Sequence, residues 1–189
     1  MFWAVNHYHP DVAASIGRIL AGYPQIEYSR GECLDAVCDD YDVVFKCLFR
    51  VRGETQRVDI ADALGRNLYR EIGLGTEFEV VFGAIRYLLR VRNQYAHAHW
   101  LANETGMSMV DMEEWAKTKE YAGGEGKISL HPITREIVQQ QEQYGDYVNS
   151  MISWLTNEAL VKRGKAKVNE WPKPKQVAQP PLHKLKPNG

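Results

Sequence analysis

The sequence lacks any long hydrophobic run. Nowhere in its 189 residues do about eighteen apolar residues follow one another, the length at which a stretch begins to read as a membrane-spanning helix. The opening residues, Met1-Phe2-Trp3-Ala4-Val5-Asn6-His7, show no basic segment leading into an apolar one, so no secretory signal is expected. Cysteine is scarce. Cys33, Cys38 and Cys47 are odd in number and share one helical pattern, which reads as reduced, half-buried thiols of a cytoplasmic protein rather than a disulfide or zinc framework. There is no Cys-x-x-Cys, no glycine loop to cradle phosphate, no Ser/His/acid spacing of a hydrolase and no internal repeat. These absences argue against a membrane protein, a secreted disulfide scaffold and the common nucleotide-binding classes.

Net charge is also nearly absent, at −1 from 23 basic and 24 acidic residues, but the balance hides an asymmetry. From Lys162 onward eight Lys and Arg face the single acid Glu170, so the C-terminal end carries +7 and the remainder −8. An acidic body does not suggest non-specific nucleic-acid binding by the body itself. The tail is free of that objection and has the charge to meet RNA or its own acidic domain. Five of the eight prolines (172, 174, 180, 181, 187) also fall there. Residues 1–163 therefore read as one helical domain and 164–189 as a basic, Pro-rich tail, flexible or extended by default. Trp171-Pro172 and Pro180-Pro181-Leu182-His183 are the tail stretches able to strap onto the body or a partner.

With 44% hydrophobic and 25% charged residues, the chain has ample material for a core. Residues 1–9 read as an irregular lead-in, and their His7-x-His9 pair lacks a second cluster with metal-ligand spacing. Pro10 and Asp11 open a helix whose apolar stripe, Val12, Ile16, Ile19 and Leu20, ends near Gly22-Tyr23-Pro24. A second helix is predicted over 31–51, with Asp39, Asp40 and Asp42 on its solvated side. A third is predicted over 55–69. A fourth, over 76–98, has Thr76 as N-cap and Glu77 and Glu79 in its first turn. Residues 101–109 read as a loop, 111–119 as a short helix, 123–126 as a turn and 127–130 as a short extended piece. Pro132 is predicted to open a last long helix reaching Arg163. The expectation is an all-α bundle of four to five main helices with a flexible C-terminal tail.

The densest chemistry lies at the end of the fourth helix. Phe78, Phe82, Ile85, Leu88 and Leu89 recur at the spacing of one buried face. The chain then turns abruptly polar in Arg90-Val91-Arg92-Asn93-Gln94-Tyr95-Ala96-His97-Ala98-His99-Trp100. Within it, Arg92-Asn93-Gln94-Tyr95-Ala96-His97 resembles the signature of the HEPN superfamily, an Arg followed by a polar residue and then His after a spacer of about four to six. The resemblance implies an all-helical domain, commonly a metal-independent ribonuclease of a toxin or antiphage system, working as a homodimer. It implies Arg92 and His97 as the catalytic pair, with Asn93 as the polar neighbour. No cofactor and no metal are expected, and an antitoxin or defence protein is the expected partner besides RNA.

The residue types suit that chemistry independently of the family. Attack of a 2′-hydroxyl on the adjacent phosphate moves a proton from one oxygen to another. Imidazole titrates near neutrality and serves as acid or base. The transition state gathers negative charge on non-bridging oxygens, which a guanidinium grips with two parallel hydrogen bonds. Asn can fix a histidine tautomer or donate to phosphate.

Geometry leaves the assignment open. On an ideal helix Arg92 and His97 lie about 140° apart, whereas Arg92 and His99, or Arg90 and His97, are nearly eclipsed. Either the helix bends after Ala96 or the site is completed across a two-fold axis. His97 is preferred, with His99, Arg90 and Tyr95 as secondary candidates. The alternative function is a non-catalytic HEPN-like binding or regulatory module, in which Arg92, Asn93 and His97 hold the interface together. The plainer structural reading is that Arg92 and Asn93 cap and pair at a helix C-terminus, where cations are favoured.

Overall fold

The computed structural model describes residues 2–111 and 130–183. In chain order the elements are α1 (Phe2–Tyr8), α2 (Pro10–Cys38), α3 (Tyr41–Phe49), α4 (Glu54–Glu71), α5 (Gly75–Ala96), β1 (Ala98–Asn103), β2 (Gly106–Asp111), β3 (His131–Ile133) and α6 (Arg135–Lys162). The protein is mostly helical. A small antiparallel sheet of order β1-β2-β3 corrects the all-α expectation. The predicted helix over 111–119, the turn at 123–126 and most of the extended piece at 127–130 lie outside the described residues.

The chain forms two compact units. The first comprises residues 1–21, 91–143 and 179–189, and the second comprises 22–90 and 144–178. The helices α2, α5 and α6 supply residues to both.

In the second unit α2 runs through Pro24 without ending, although the sequence suggests a break there. The break comes instead at Asp39, which adopts a left-handed φ of 59°. Asp40 then caps α3, its carboxylate accepting the Val43 N–H at 3.0 Å. Asp39 is gripped by Arg163 and Lys165, and Asp42 pairs with Lys46. The acid run thus terminates one helix and starts the next rather than forming one solvated face. The core is aromatic: Tyr69, Phe78 and Phe82 stack in series with centroids 4.7 and 4.1 Å apart. Tyr69 donates its hydroxyl to the Cys33 carbonyl at 2.7 Å, and burial pushes the Cys33 thiol up to about 11.

In the first unit the lead-in is helical rather than irregular. Its last turn is continued by His9 N–H donating to Val5 O at 2.8 Å. His9 also donates from Nε2 to Asn103 O at 2.8 Å, tying this segment to the end of β1. The stretch expected as a loop is a β-hairpin. Asn103 pairs with Gly106 around a turn in which the Asn103 side-chain oxygen accepts from Thr105 N–H, Thr105 Oγ1 and Gly106 N–H at 2.9–3.0 Å. Trp100, Met107, Met109 and Ile133 are buried, giving the sheet one apolar face. Thr134 caps α6, its Oγ1 accepting the Ile137 N–H at 3.3 Å, so that helix starts later than Pro132 suggests. Arg135 pairs with Asp11 at 2.8 Å.

Candidate functional site

The end of α5 carries the motif. Ala96 is its last helical residue, His97 is a bend and Ala98 already belongs to β1. The helix stops there because the backbone leaves for the hairpin, with His97 N–H still donating to Asn93 O at 3.1 Å. The side chain of His97 is exposed, and so is that of His99, which sits on β1 opposite Val110. Arg92 and Asn93 are half-buried, and Arg92 Nη1 donates to the Asn93 side-chain oxygen at 3.1 Å. Arg92 and Asn93 are therefore brought together. Among the described residues no hydrogen bond joins Arg92 to His97. Arg90 belongs to the second unit, where its guanidinium lies 5.3 Å from the ring centroid of Tyr87.

Tyr95 occupies a different role from its neighbours. It is fully buried and stacks on Trp100 with centroids 5.7 Å apart. Its hydroxyl bonds the side-chain oxygen of Gln141 on α6 and lies 2.9 Å from Nε2 of His183 in the C-terminal tail. Gln94 reaches the same tail residue, donating from Nε2 to His183 O at 2.7 Å and accepting the His183 N–H at 3.3 Å. Gln141 Nε2 donates to Pro181 O at 2.7 Å. Residues 164–183 contain no helix or strand, yet Pro180 and His183 are buried. The tail thus straps onto the body with its Pro-Pro-Leu-His stretch.

Burial, and the nearby imidazole of the buried His131, push the His183 ring down to about 4. It is neutral at ordinary pH. The hydrogen bonds fix its tautomer: the Tyr95 proton goes to Gln141, so the Tyr95 oxygen accepts from His183 Nε2–H. His183 Nδ1 is left buried and without a hydrogen bond.

His131, Gln141 and His183 lie outside the motif, and the tail-holding role of Gln94 is not apparent from it. Two signals were present: the Pro180-Pro181-Leu182-His183 stretch, able to strap onto the body, and Gln141, an amide on the apolar stripe of the last helix with Ile137, Tyr144 and Val148. A polar side chain on such a stripe needs a partner.

The second unit holds a cavity of about 350 Å³ whose lining includes Glu32, Asp35, Tyr41, Thr156 and Trp171. Among the described residues no group of three or more His, Cys, Asp or Glu is arranged to hold a metal, and no helix is long and apolar enough to cross a membrane.

Comparison with known proteins returns no match: no family model fits the chain, and no curated protein or solved structure is significantly similar to it.

Proposed function

We propose that the chain is a metal-independent endoribonuclease of the HEPN type, its helices forming a bundle of that family's kind with the hairpin following the motif. Arg92 binds the phosphate, Asn93 orients, and His97 moves the proton. The supporting observation is an exposed imidazole at the terminus of a rigid helix, beside a half-buried Arg92–Asn93 pair. A rigid support for a solvent-facing acid/base group is what such a site requires. Because His97 lies beyond the last residue of α5 and no hydrogen bond joins it to Arg92 among the described residues, the reading includes a homodimer in which each site draws on both copies. A toxin or antiphage effector, acting on cytoplasmic RNA and held in check by an antitoxin or defence partner, fits that chemistry.

A specific observation favours a second reading, a non-catalytic HEPN-like binding or regulatory module. Gln94 and Tyr95, inside the motif, hold the tail rather than face solvent. Incubating the full-length protein with total RNA separates the two. The nuclease reading expects fragments ending in 2′,3′-cyclic phosphate and 5′-hydroxyl groups, and loss of these with Arg92→Lys, since an ammonium cannot reproduce the guanidinium fork. Light scattering tests the composite site: a monomer at micromolar concentration counts against it.

A further inference from the structure

We infer that the first unit carries a peptide-docking slot, formed by Gln94, Tyr95 and Gln141, that accepts an extended Pro-x-His segment, and that the chain's own tail is its resident ligand. This inference stands apart from the nuclease reading, since it rests on the tail contacts alone.

The slot reads backbone first. The Gln94 amide engages both polar groups of the His183 main chain, donating to the carbonyl at 2.7 Å and accepting the N–H at 3.3 Å. One side chain thereby imitates the edge of a neighbouring strand, as in recognition by strand addition. At Pro181 the demand differs, because proline has a carbonyl to offer but no N–H. The slot matches this: Gln141 presents a donor there, at 2.7 Å, while its own oxygen is occupied by the Tyr95 hydroxyl. Slot and segment therefore match at the His183 N–H and carbonyl and at the Pro181 carbonyl.

The side-chain requirement is set at His183. Its ring enters a buried site against Tyr95, edge to face with centroids 5.7 Å apart, and donates from Nε2 to the tyrosine oxygen at 2.9 Å. The site takes a neutral ring with one N–H. A lysine or arginine there would bury a charge without a counter-charge among these contacts. Two consecutive prolines hold the entering chain extended, which lowers the ordering cost of docking. Residues 164–178, without helix or strand, tether the segment, and a tether of that kind supplies the ligand at an effective concentration on the order of millimolar. A free peptide can compete only when the resident segment is weakened.

The test uses full-length protein and a fluorescent peptide of residues 176–183, Gln-Val-Ala-Gln-Pro-Pro-Leu-His, followed by anisotropy. His183→Ala, which weakens the resident ligand, is expected to bind the peptide at least about tenfold more tightly than the wild type. Adding Gln94→Ala to that variant should abolish binding, and so should replacing the peptide's histidine by alanine. Equal affinity of wild type and His183→Ala, or no binding to either, overturns the inference. Should His183→Ala fail to fold, amide hydrogen exchange on full-length Gln94→Ala decides instead. The His183 amide should exchange at least about tenfold faster than in wild type, with α6 amides unchanged. An equally protected His183 amide in both proteins, or an unprotected one in wild type, refutes the slot.

Discussion

The Tyr95 hydroxyl lies 2.9 Å from Nε2 of His183, 88 positions further along the chain. That contact gives the tyrosine in the middle of the motif a structural task. It turns inward, stacked on Trp100 and bonded to α6 and the tail, while His97, two residues on, faces solvent. One helix end thus serves two surfaces: a polar outer one and a buried inner one that fastens the tail at His183.

The tail contact should be sensitive to acid. His183 is held down to about 4 when docked and returns towards about 6.5 when released. Between those values the released form binds more protons, so docking weakens as pH falls from about 6.5 to about 4 and changes little below that. The full loss is on the order of 3 kcal/mol. Histidine ring signals followed by NMR titration check this: one ring should resist protonation in wild type and titrate normally in Gln94→Ala. Ordinary titration of His183 in the wild type would contradict the docked arrangement.

Two glycines of the second unit should respond in opposite ways to alanine. A Cβ on Gly65 would meet Leu34 Cδ2 at 2.7 Å and the Phe78 ring at 2.8 Å, in the aromatic core where α4 packs. Gly65→Ala should cost about 1–3 kcal/mol by overpacking. Gly83, exposed within α5, has nothing within 4 Å of that position, so Gly83→Ala should gain up to about 1 kcal/mol from helix propensity. Urea unfolding of both variants measures the difference, and a neutral Gly65→Ala would mean that the core is looser than the distances imply.

Arg30 is fully buried, with Glu27 Oε1 3.8 Å from its Nη2 and none of its guanidinium nitrogens hydrogen-bonded. Burial pushes its pKa down. Glu27 also accepts from Arg57 Nη1 at 2.9 Å. Glu27→Gln, which removes the charge serving both arginines, should therefore destabilise by about 3–5 kcal/mol, whereas Arg30→Met should be neutral or stabilising. The melting temperatures of the two variants check the ordering. A larger loss in Arg30→Met would show that the guanidinium is better compensated than its contacts indicate.

Long helices with uninterrupted stripes were legible in the sequence: α4, α5 and the body of α6 lie within a few residues of their predicted spans. Punctuation was less so. Pro24 suggests an end, but a single proline removes one hydrogen bond from a helix otherwise held by packing. The actual break needed the left-handed Asp39 and the cap Asp40, which look in sequence like surface acids. The hairpin was hidden because Leu101 is exposed and Ala102 is small, so apolar alternation is weak along β1. Its plainest sign was the Asn103-Glu104-Thr105-Gly106 turn. At the site, the motif itself is contiguous and readable. The Gln94–Gln141–His183 contacts span up to 89 positions, and no local spacing encodes such a meeting.

The most direct measurement is cleavage of total RNA in EDTA by purified wild-type protein and His97→Ala side by side, with circular dichroism to show that both are folded. His97 is exposed at the end of α5, so its replacement should leave the fold intact while lowering the rate by about 10²–10⁴, the usual cost of a positioned acid/base group. His99→Ala should lose less. The account predicts cleavage by the wild type with EDTA present and its near-disappearance in His97→Ala. Equal cleavage by both proteins, or none by the wild type, would contradict it.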